Sequence, residues 1–319
     1  MKKVAILTSG GDAPGMNATL RAFTRYAISN KLEVVGIERG YEGLINGNLI
    51  PLARRSVSDI LQRGGTILKT ARSVEFTTFT GRQKAYKVLK DNDIDGLCVI
   101  GGDGTFLGAQ LLSQEFGFPV VGIPGTIDND LAYTDFSIGF DTAVNTALDA
   151  INKIRDTMTS HDRTCIVQTM GRNCGDIALY AGIGGGAEAI LVPEIEYDIN
   201  RIADNVIANH RKGKSSDIIV VAEGAGKAEE LAIVLKALTK VSMRTVVLGY
   251  IQRGGSPTLQ DRLLGAQFGV TAVKVLLDGE SKVVGIKNNR IITLDITTAL
   301  RKTKKFEKKL YNIANTLAE

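Results

Sequence analysis

The chain has 319 residues, a formal net charge of +5, 44% hydrophobic and 23% charged residues, an ordinary globular composition with length enough for two domains. No run approaches the ~18 apolar residues of a membrane span, and Met1-Lys2-Lys3 leads straight into a short strand rather than a signal core, so the expectation is a cytoplasmic protein without a membrane partner. The mild positive charge lacks the interleaved aromatic and basic residues of an RNA platform, which argues against nucleic acid as a partner.

Glycine is in excess, at 35 of 319 residues or about 11% against a usual ~7%. These glycines cluster in loops after apolar runs, where main chain can approach a ligand. Cys98, Cys165 and Cys174 show no metal-ligand spacing, and their odd number points to a reducing compartment. Cys98 lies inside an apolar run and reads as a buried thiol.

Residues 4–7, 34–37, 96–100 and 120–123 read as buried strands, with helices near 17–29, 81–92 and 104–115 between them. The rhythm continues with strands at 165–169, 189–192, 218–222 and 245–248 and helices at about 141–159, 200–211 and 259–277. This alternation predicts an α/β fold of mostly parallel, helix-covered sheets, and so many strands predict two domains. Helix 141–159 is the expected crossing point between them. The basic run Arg301-Lys302-Thr303-Lys304-Lys305-Phe306-Glu307-Lys308-Lys309 reads as the exposed face of a terminal helix.

Three loops carry candidate chemistry. In Thr8-Ser9-Gly10-Gly11-Asp12-Ala13-Pro14-Gly15-Met16-Asn17, glycines let N–H groups turn inward, and the following helix N-terminus favours a phosphate. The plainer alternative for that segment alone is a tight turn capped by Asn17. No Walker lysine is present. Gly101-Gly102-Asp103-Gly104-Thr105 has the same placement with one acid added. Asp103 suits Mg²⁺ bridging nucleotide phosphates, and its bland alternative is a helix cap. Pro124-Gly125-Thr126-Ile127-Asp128-Asn129-Asp130 sets two carboxylates two residues apart, which pushes at least one pKa upward, toward general-base work. There the alternative is a turn with Asx hydrogen bonds.

Arginines supply the balancing charge. Arg72 sits in the otherwise uncharged stretch after Lys69, Arg163 precedes a strand, and Arg172 follows Met170-Gly171 at a strand end. Arg244 precedes a strand, and Arg253 lies in Gln252-Arg253-Gly254-Gly255. Arg172 and Arg253, beside glycine turns, suit bidentate phosphate clamps.

Gly10-Gly11-Asp12, Gly101-Gly102-Asp103-Gly104, Pro124 to Asp130, Met170-Gly171-Arg172, Ala222-Glu223-Gly224 and Gln252-Arg253-Gly254-Gly255 occur in one chain, in order. Together they resemble the bacterial ATP-dependent 6-phosphofructokinases over essentially the whole length, although Gly-Gly-Asp-Gly-Thr alone recurs in NAD and lipid kinases. The resemblance implies two doubly wound, Rossmann-like domains with the active site in the cleft between them. Residues 1–138 and 252–304 would form a larger ATP-binding domain, and 139–251 and 305–319 a smaller fructose 6-phosphate-binding one.

By the same resemblance, Asp128 takes the proton from the sugar 1-hydroxyl, Thr126 and Asp130 support it, and Arg172, with Arg72, neutralises the transferring group. Asp103 would hold Mg²⁺, and Gly11, Arg72, Ser73, Gly102, Gly104, Thr105 and Gly108 would line the ATP site. Fructose 6-phosphate would be held by Thr126, Asp128, Met170, Gly171, Arg172, Glu223, Tyr250 and Arg253. Arg163 and Arg244 would reach in from a neighbouring subunit, which implies a homotetramer. Gly104 and Gly125 match the ATP-using branch, since the pyrophosphate-using branch tends to carry Asp and Lys there.

By the resemblance, Arg21, Arg25, Arg54, Arg155, Gly186, Glu188 and Lys214 match an effector site between subunits for ADP or GDP and phosphoenolpyruvate, to which Lys212 also belongs. Arg21 and Arg25, four apart, share one helix face. Four positions depart from the family pattern. Tyr250 replaces a frequent histidine at the sugar 6-phosphate, at a cost of ~1 kcal/mol in affinity. Ser73 replaces a frequent cysteine. Lys212 replaces an arginine and Ser215 a lysine, which implies weaker effector control. The nearest rival reading is a kinase of another sugar phosphate or a pyrophosphate-dependent enzyme. A rival of another class, a non-catalytic metabolite sensor, would have no need of Asp103, Asp128 and Arg172 together.

Overall fold

The structure, a computed structural model, describes residues 1–318. The chain forms two compact units. The first comprises Met1–Ile127, Leu131–Thr142 and Arg253–Lys304; the second comprises Asp128–Asp130, Ala143–Gln252 and the described residues from Lys305 on.

The chain runs through β1 (Lys3–Thr8), α1 (Met16–Ser29), β2 (Glu33–Ile37), α2 (Gly40–Ile45), β3 (Leu49–Pro51) and α3 (Phe79–Asp91). It continues through β4 (Gly96–Gly101), α4 (Asp103–Phe116) and β5 (Val120–Pro124). Helix α5 (Phe140–Thr159) leads to β6 (Thr164–Thr169), α6 (Asp176–Gly184), β7 (Ala189–Leu191) and α7 (Ile199–Arg211). Then come β8 (Ile218–Ala222), α8 (Ala228–Thr239) and β9 (Met243–Val247). The chain returns to the first unit with α9 (Leu259–Leu277), β10 (Lys282–Lys287), β11 (Arg290–Asp295) and α10 (Ile296–Leu300), and α11 (Lys308–Leu317) follows.

The first unit holds a seven-stranded sheet in the order β11-β10-β5-β4-β1-β2-β3, and the second a four-stranded sheet in the order β7-β8-β6-β9. Pairing is parallel except at the edges of the larger sheet, where β3 and β11 run antiparallel. All six residues of β4 and all five of β5 and β8 are buried, as strands covered on both faces must be. The α/β expectation therefore holds. Cys98 is buried in β4, and burial pushes its thiol well above the usual range.

Helices α1 and α9 meet closely because α9 presents Gly265 and Gly269. A Cβ on them would lie 2.7 Å from the Thr19 hydroxyl and 2.8 Å from the Phe23 nitrogen. Two expectations need correction. Residues 301–307 are irregular, so only Lys308 and Lys309 of the basic run belong to α11. Arg244 lies within β9 rather than before a strand. The β10–β11 hairpin breaks the parallel rhythm and was not expected. Its turn is Asn288-Asn289, both with positive φ (48° and 59°), the conformation a tight two-residue hairpin needs.

One buried carboxylate organises the first unit's end of α5. Asp261 of α9 is 1% exposed. It accepts hydrogen bonds from the Gly139 amide (2.8 Å), the Thr142 amide (2.9 Å) and the Thr142 hydroxyl. Burial raises its pKa to about 6, with the nearby charge of Asp141 adding to the rise and the three hydrogen bonds opposing it. A carboxyl whose folded pKa exceeds its unfolded value stabilises the fold fully below about pH 4, and that contribution is lost as pH rises through 6. From pH 4 to 6 Asp261 should thus remove about 3 kcal/mol of unfolding free energy. Asp261→Asn should abolish this slope while costing roughly 1–3 kcal/mol, because its NH₂ group then faces an amide donor. Urea unfolding of both proteins from pH 4 to 7 measures it, and parallel stability curves would refute the assignment.

Candidate active site

In the larger sheet, β1 connects to β2 on one side while β4 connects to β5 on the other. The loops after β1 and β4 therefore flank the point where strand order reverses, the usual ligand crevice of an open parallel sheet. Register locks them together: the Ser9 amide donates to the Ile100 carbonyl (2.9 Å), and the Gly125 amide to the Gly101 carbonyl (3.0 Å). Gly10 has φ +82°, and α1 starts behind Gly15 at φ +104°.

Asn17 does not cap α1, contrary to the simpler reading of that segment. It lies inside the helix, where its amide donates to the carbonyls of Arg63 and Gly64 (3.1 Å each) and its oxygen accepts from Ile67 (2.9 Å). The next residues are drawn onto the first loop. The Thr8 hydroxyl donates to the Lys69 carbonyl (2.9 Å), and the Thr70 hydroxyl to the Gly10 carbonyl (2.7 Å). Arg72, two residues beyond Thr70, is exposed, and the Ser73 hydroxyl accepts from Phe76 (3.3 Å). Arg253 arrives from the chain's return, pairing with Asp12 at 2.7 Å; its guanidinium lies 2.8 Å from where a Gly11 Cβ would sit.

Gly102 is the N-cap of α4 and Asp103 its exposed first residue, so a phosphate there would meet a helix N-terminus and a carboxylate able to share a cation. Burial, together with the charge of Asp103, raises the phenol of Tyr133. The glycines of this stretch divide by what surrounds them. A Cβ on Gly102 or Gly104 meets no protein atom within 4 Å. Gly108 lies under the stacked rings of Tyr41 and Phe76, which would crowd a Cβ at 3.0 and 2.9 Å, and the Tyr41 hydroxyl donates to the Thr105 carbonyl (2.6 Å). Gly125 is also packed, its Cβ position 2.7 Å from Ile100.

The acidic loop begins with Thr126, whose carbonyl accepts from the Ser137 hydroxyl (2.7 Å). Asp128 is buried at 9% exposure and Asp130 half-buried. Between them Asn129 takes a left-handed conformation (φ +52°), and its amide donates to Asp176 at 3.0 Å.

In the smaller sheet, the loops after β6, β8 and β9 carry most of the remaining candidates. Glu223 is the hub. Its carboxylate accepts from the amides of Gly171 (3.2 Å) and Arg172 (2.8 Å), and its own amide donates to the Thr169 carbonyl (2.9 Å). This holds Gly171 at φ +136° and Arg172 at φ +52°, with the Arg172 side chain exposed. Gly224 permits the approach, since a Cβ there would fall 2.2 Å from the Arg172 carbonyl. Gln252, fully buried, accepts from the Met170 amide (3.3 Å) and donates to the Gly249 carbonyl (3.1 Å), a supporting role that its position in a glycine-rich motif did not reveal. Tyr250 is 78% exposed.

Arg163 and Arg244 are not part of this cluster. They lie at the amino ends of β6 and β9, one strand length (roughly 17 Å) from the carboxyl ends that carry Met170 and Glu223. Of the candidate effector residues, four of the second unit come together. Arg155 bonds Glu188 (3.3 Å) and the carbonyls of Gly185 and Gly186, and Lys214 bonds the same Glu188 oxygen (2.6 Å). Lys212 is exposed at the end of α7. In the first unit Arg21 and Arg25 sit half-buried on α1, and Arg54 is exposed after β3. Among the described residues no cluster of three His, Cys, Asp or Glu could hold a metal, so a cation at Asp103 would need ligand oxygens as well. Among the described residues no helix is long and apolar enough to cross a membrane.

Comparison with known proteins finds relatives over the whole chain. A family model described as phosphofructokinase matches residues 3–276. The ATP-dependent 6-phosphofructokinase of Clostridium tetani is 57% identical over 319 residues, covering all of both chains. ATP-dependent 6-phosphofructokinase 1 of Clostridium perfringens is 57% identical over 318 residues, 99% of each. Among solved structures, phosphofructokinase from Saccharomyces cerevisiae superposes with a TM-score of 0.91 at 35% identity over 100% of this chain. This chain spans 48% of the yeast chain's length. The pyrophosphate-dependent phosphofructokinase of Marinobacter aquaeolei shares the fold, with a TM-score of 0.87 at 21% identity over 97% of this chain and 86% of that one.

The open surroundings of Gly104 generate a clean test. Gly104→Asp adds an acid to the first turn of α4, where negative charge is tolerated, so the thermal midpoint should stay within about 2 °C. Affinity for a nucleoside triphosphate should fall roughly tenfold or more, because the side chain projects only into ligand space and repels phosphate. Calorimetric titration with ATP reads the loss, and unchanged affinity would remove the nucleotide from this loop.

Proposed function

Because the chain belongs to the phosphofructokinase family, we propose that it transfers the γ-phosphate of ATP to the 1-hydroxyl of fructose 6-phosphate, giving fructose 1,6-bisphosphate and ADP. The observation that carries this is the full-length likeness to ATP-dependent relatives, joined to a nucleotide loop in which position 104 is an unobstructed glycine. The first unit takes ATP and the second the sugar phosphate.

In the first unit, the inward amides around Gly11 and Gly102, with Thr105 and Ser73, receive the nucleotide, and Arg72 balances its phosphates. Gly108 allows Tyr41 and Phe76 to stack beneath that loop. Asp103 would hold Mg²⁺ together with ligand oxygens, and a bound ion would supply positive charge to the phosphates there. In the acidic loop, Asp128 accepts the proton of the attacking hydroxyl, supported by Thr126 and Asp130. Arg172 neutralises the equatorial oxygens; the Glu223 clamp fixes its backbone. Met170, Gly171, Glu223, Tyr250 and Arg253 hold fructose 6-phosphate.

Arg163 and Arg244, at the far ends of their strands, serve the sugar phosphate of a neighbouring subunit in a homotetramer. The protein works in the cytoplasm. ADP or GDP and phosphoenolpyruvate bind an effector site built on Arg21, Arg25, Arg54, Arg155, Gly186, Glu188, Lys212 and Lys214. Ser215 and Lys212 reduce its grip on a dianion.

A coupled assay with ATP, Mg²⁺ and fructose 6-phosphate tests the reaction. Asp128→Asn should lower kcat by roughly 10²–10⁴ or more; a near-normal kcat would falsify the base assignment, and preference for pyrophosphate over ATP would reassign the donor. For regulation, millimolar phosphoenolpyruvate should shift the fructose 6-phosphate saturation curve to higher concentration. No shift sinks the effector site.

A further inference from the structure

Asp176 is a buried acid for which the mechanism above has no use. It is 3% exposed and is the first residue of α6, a helix whose surroundings are otherwise apolar: Ile177, Ala178, Leu179 and Ala181 are all fully buried. A carboxylate in such a place needs strong hydrogen-bond partners or a helix N-terminus to offset its desolvation, and α6 supplies the latter. Its Oδ2 accepts a hydrogen bond from the side-chain amide of Asn129 at 3.0 Å.

Asn129 is the residue between the two carboxylates of the acidic loop. It is 2% exposed and takes φ +52°, a conformation that asparagine tolerates and most residues avoid. A left-handed residue reverses the local chain direction, so the orientation of its two neighbours depends on how firmly it is held. Its hold is on Asp176, and Asp176 immediately follows the segment 170–175 that displays Arg172.

We infer that Asp176, through Asn129, is a positioning residue that couples the base-bearing loop to the segment carrying Arg172. This rests on the reading of Asp128 as the general base. The hydrogen bond keeps the Asp128 carboxylate where the sugar hydroxyl must deliver its proton; a displacement of about 1 Å there can cost up to 100-fold in rate. Neither residue is assigned to the nucleotide above, so binding of ATP should not depend on the pair.

The test is a double-substitution cycle read in kcat. Asn129→Gly retains the positive φ without strain but removes the amide, and kcat should fall roughly 10- to 100-fold with the KM for ATP within about twofold. Asp176→Ala should fall equally, and the double variant no further, since both remove one link. Asp176→Asn keeps an acceptor oxygen for Asn129 and should restore kcat to within about fivefold. A kcat of Asn129→Gly within twofold of the parent, losses that multiply in the double variant, or Asp176→Asn as impaired as Asp176→Ala would each overturn the coupling. If Asp176→Ala does not fold, Asn129→Gly and Asp176→Asn alone decide. A normal kcat in Asp128→Asn would instead remove the base reading itself, so the two failures are told apart.

Discussion

The parallel register of β1, β4 and β5 is the constraint on which the first unit's chemistry depends. Once Ser9 bonds Ile100 and Gly125 bonds Gly101, three loops of different sequence are forced to leave the sheet side by side. Their separation is then set by the strand spacing of roughly 4.8 Å, not by any side chain. Side chains refine what register begins. Asn17 and Thr70 tie the stretch from Arg63 to Thr70 onto this edge, so a segment some sixty residues along the chain packs against the first glycine loop.

The second unit solves a related problem differently. Its segment after β6 presents an arginine from a turn of two consecutive residues with positive φ, and such backbone is unfavourable without support. Glu223 provides it by spending one carboxylate oxygen on two main-chain amides, while Gly224 removes the atom that would collide with Arg172. A residue expected to bind ligand thus has a second role in shaping the loop beside it. Substitutions at Glu223 should therefore disturb the geometry of Arg172 as well as any contact of their own.

Much of this was legible in sequence because short apolar runs followed by glycine are the physical signature of parallel strands ending at ligand loops. The strands at residues 4–7, 96–100 and 218–222 stand within two residues of those observed at each end. The Asn288-Asn289 hairpin was not legible, since a parallel rhythm gives no reason to expect an antiparallel edge pair there. The basic run 301–309 misled because a charge run looks alike on a helix face and in an extended segment. Asn17 misled for a different reason: its type suits a cap, but Gly15 already starts the helix, freeing its amide for a tertiary role. The pairing of Asn129 with Asp176, 47 residues apart, leaves no periodic trace at all.

The same contrast separates glycines that a sequence motif treats alike. Gly108 and Gly125 are required by the protein's own packing, against Tyr41 and Phe76 in one case and Ile100 in the other. Gly102 and Gly104 face open space, so nothing inside the fold demands them. On the function proposed above, the ligand rather than the protein's own packing selects them, and a side chain at position 104 can be introduced without repacking. At position 125 a larger side chain requires Ile100 to move, which ties that position to the core as well as to the ligand.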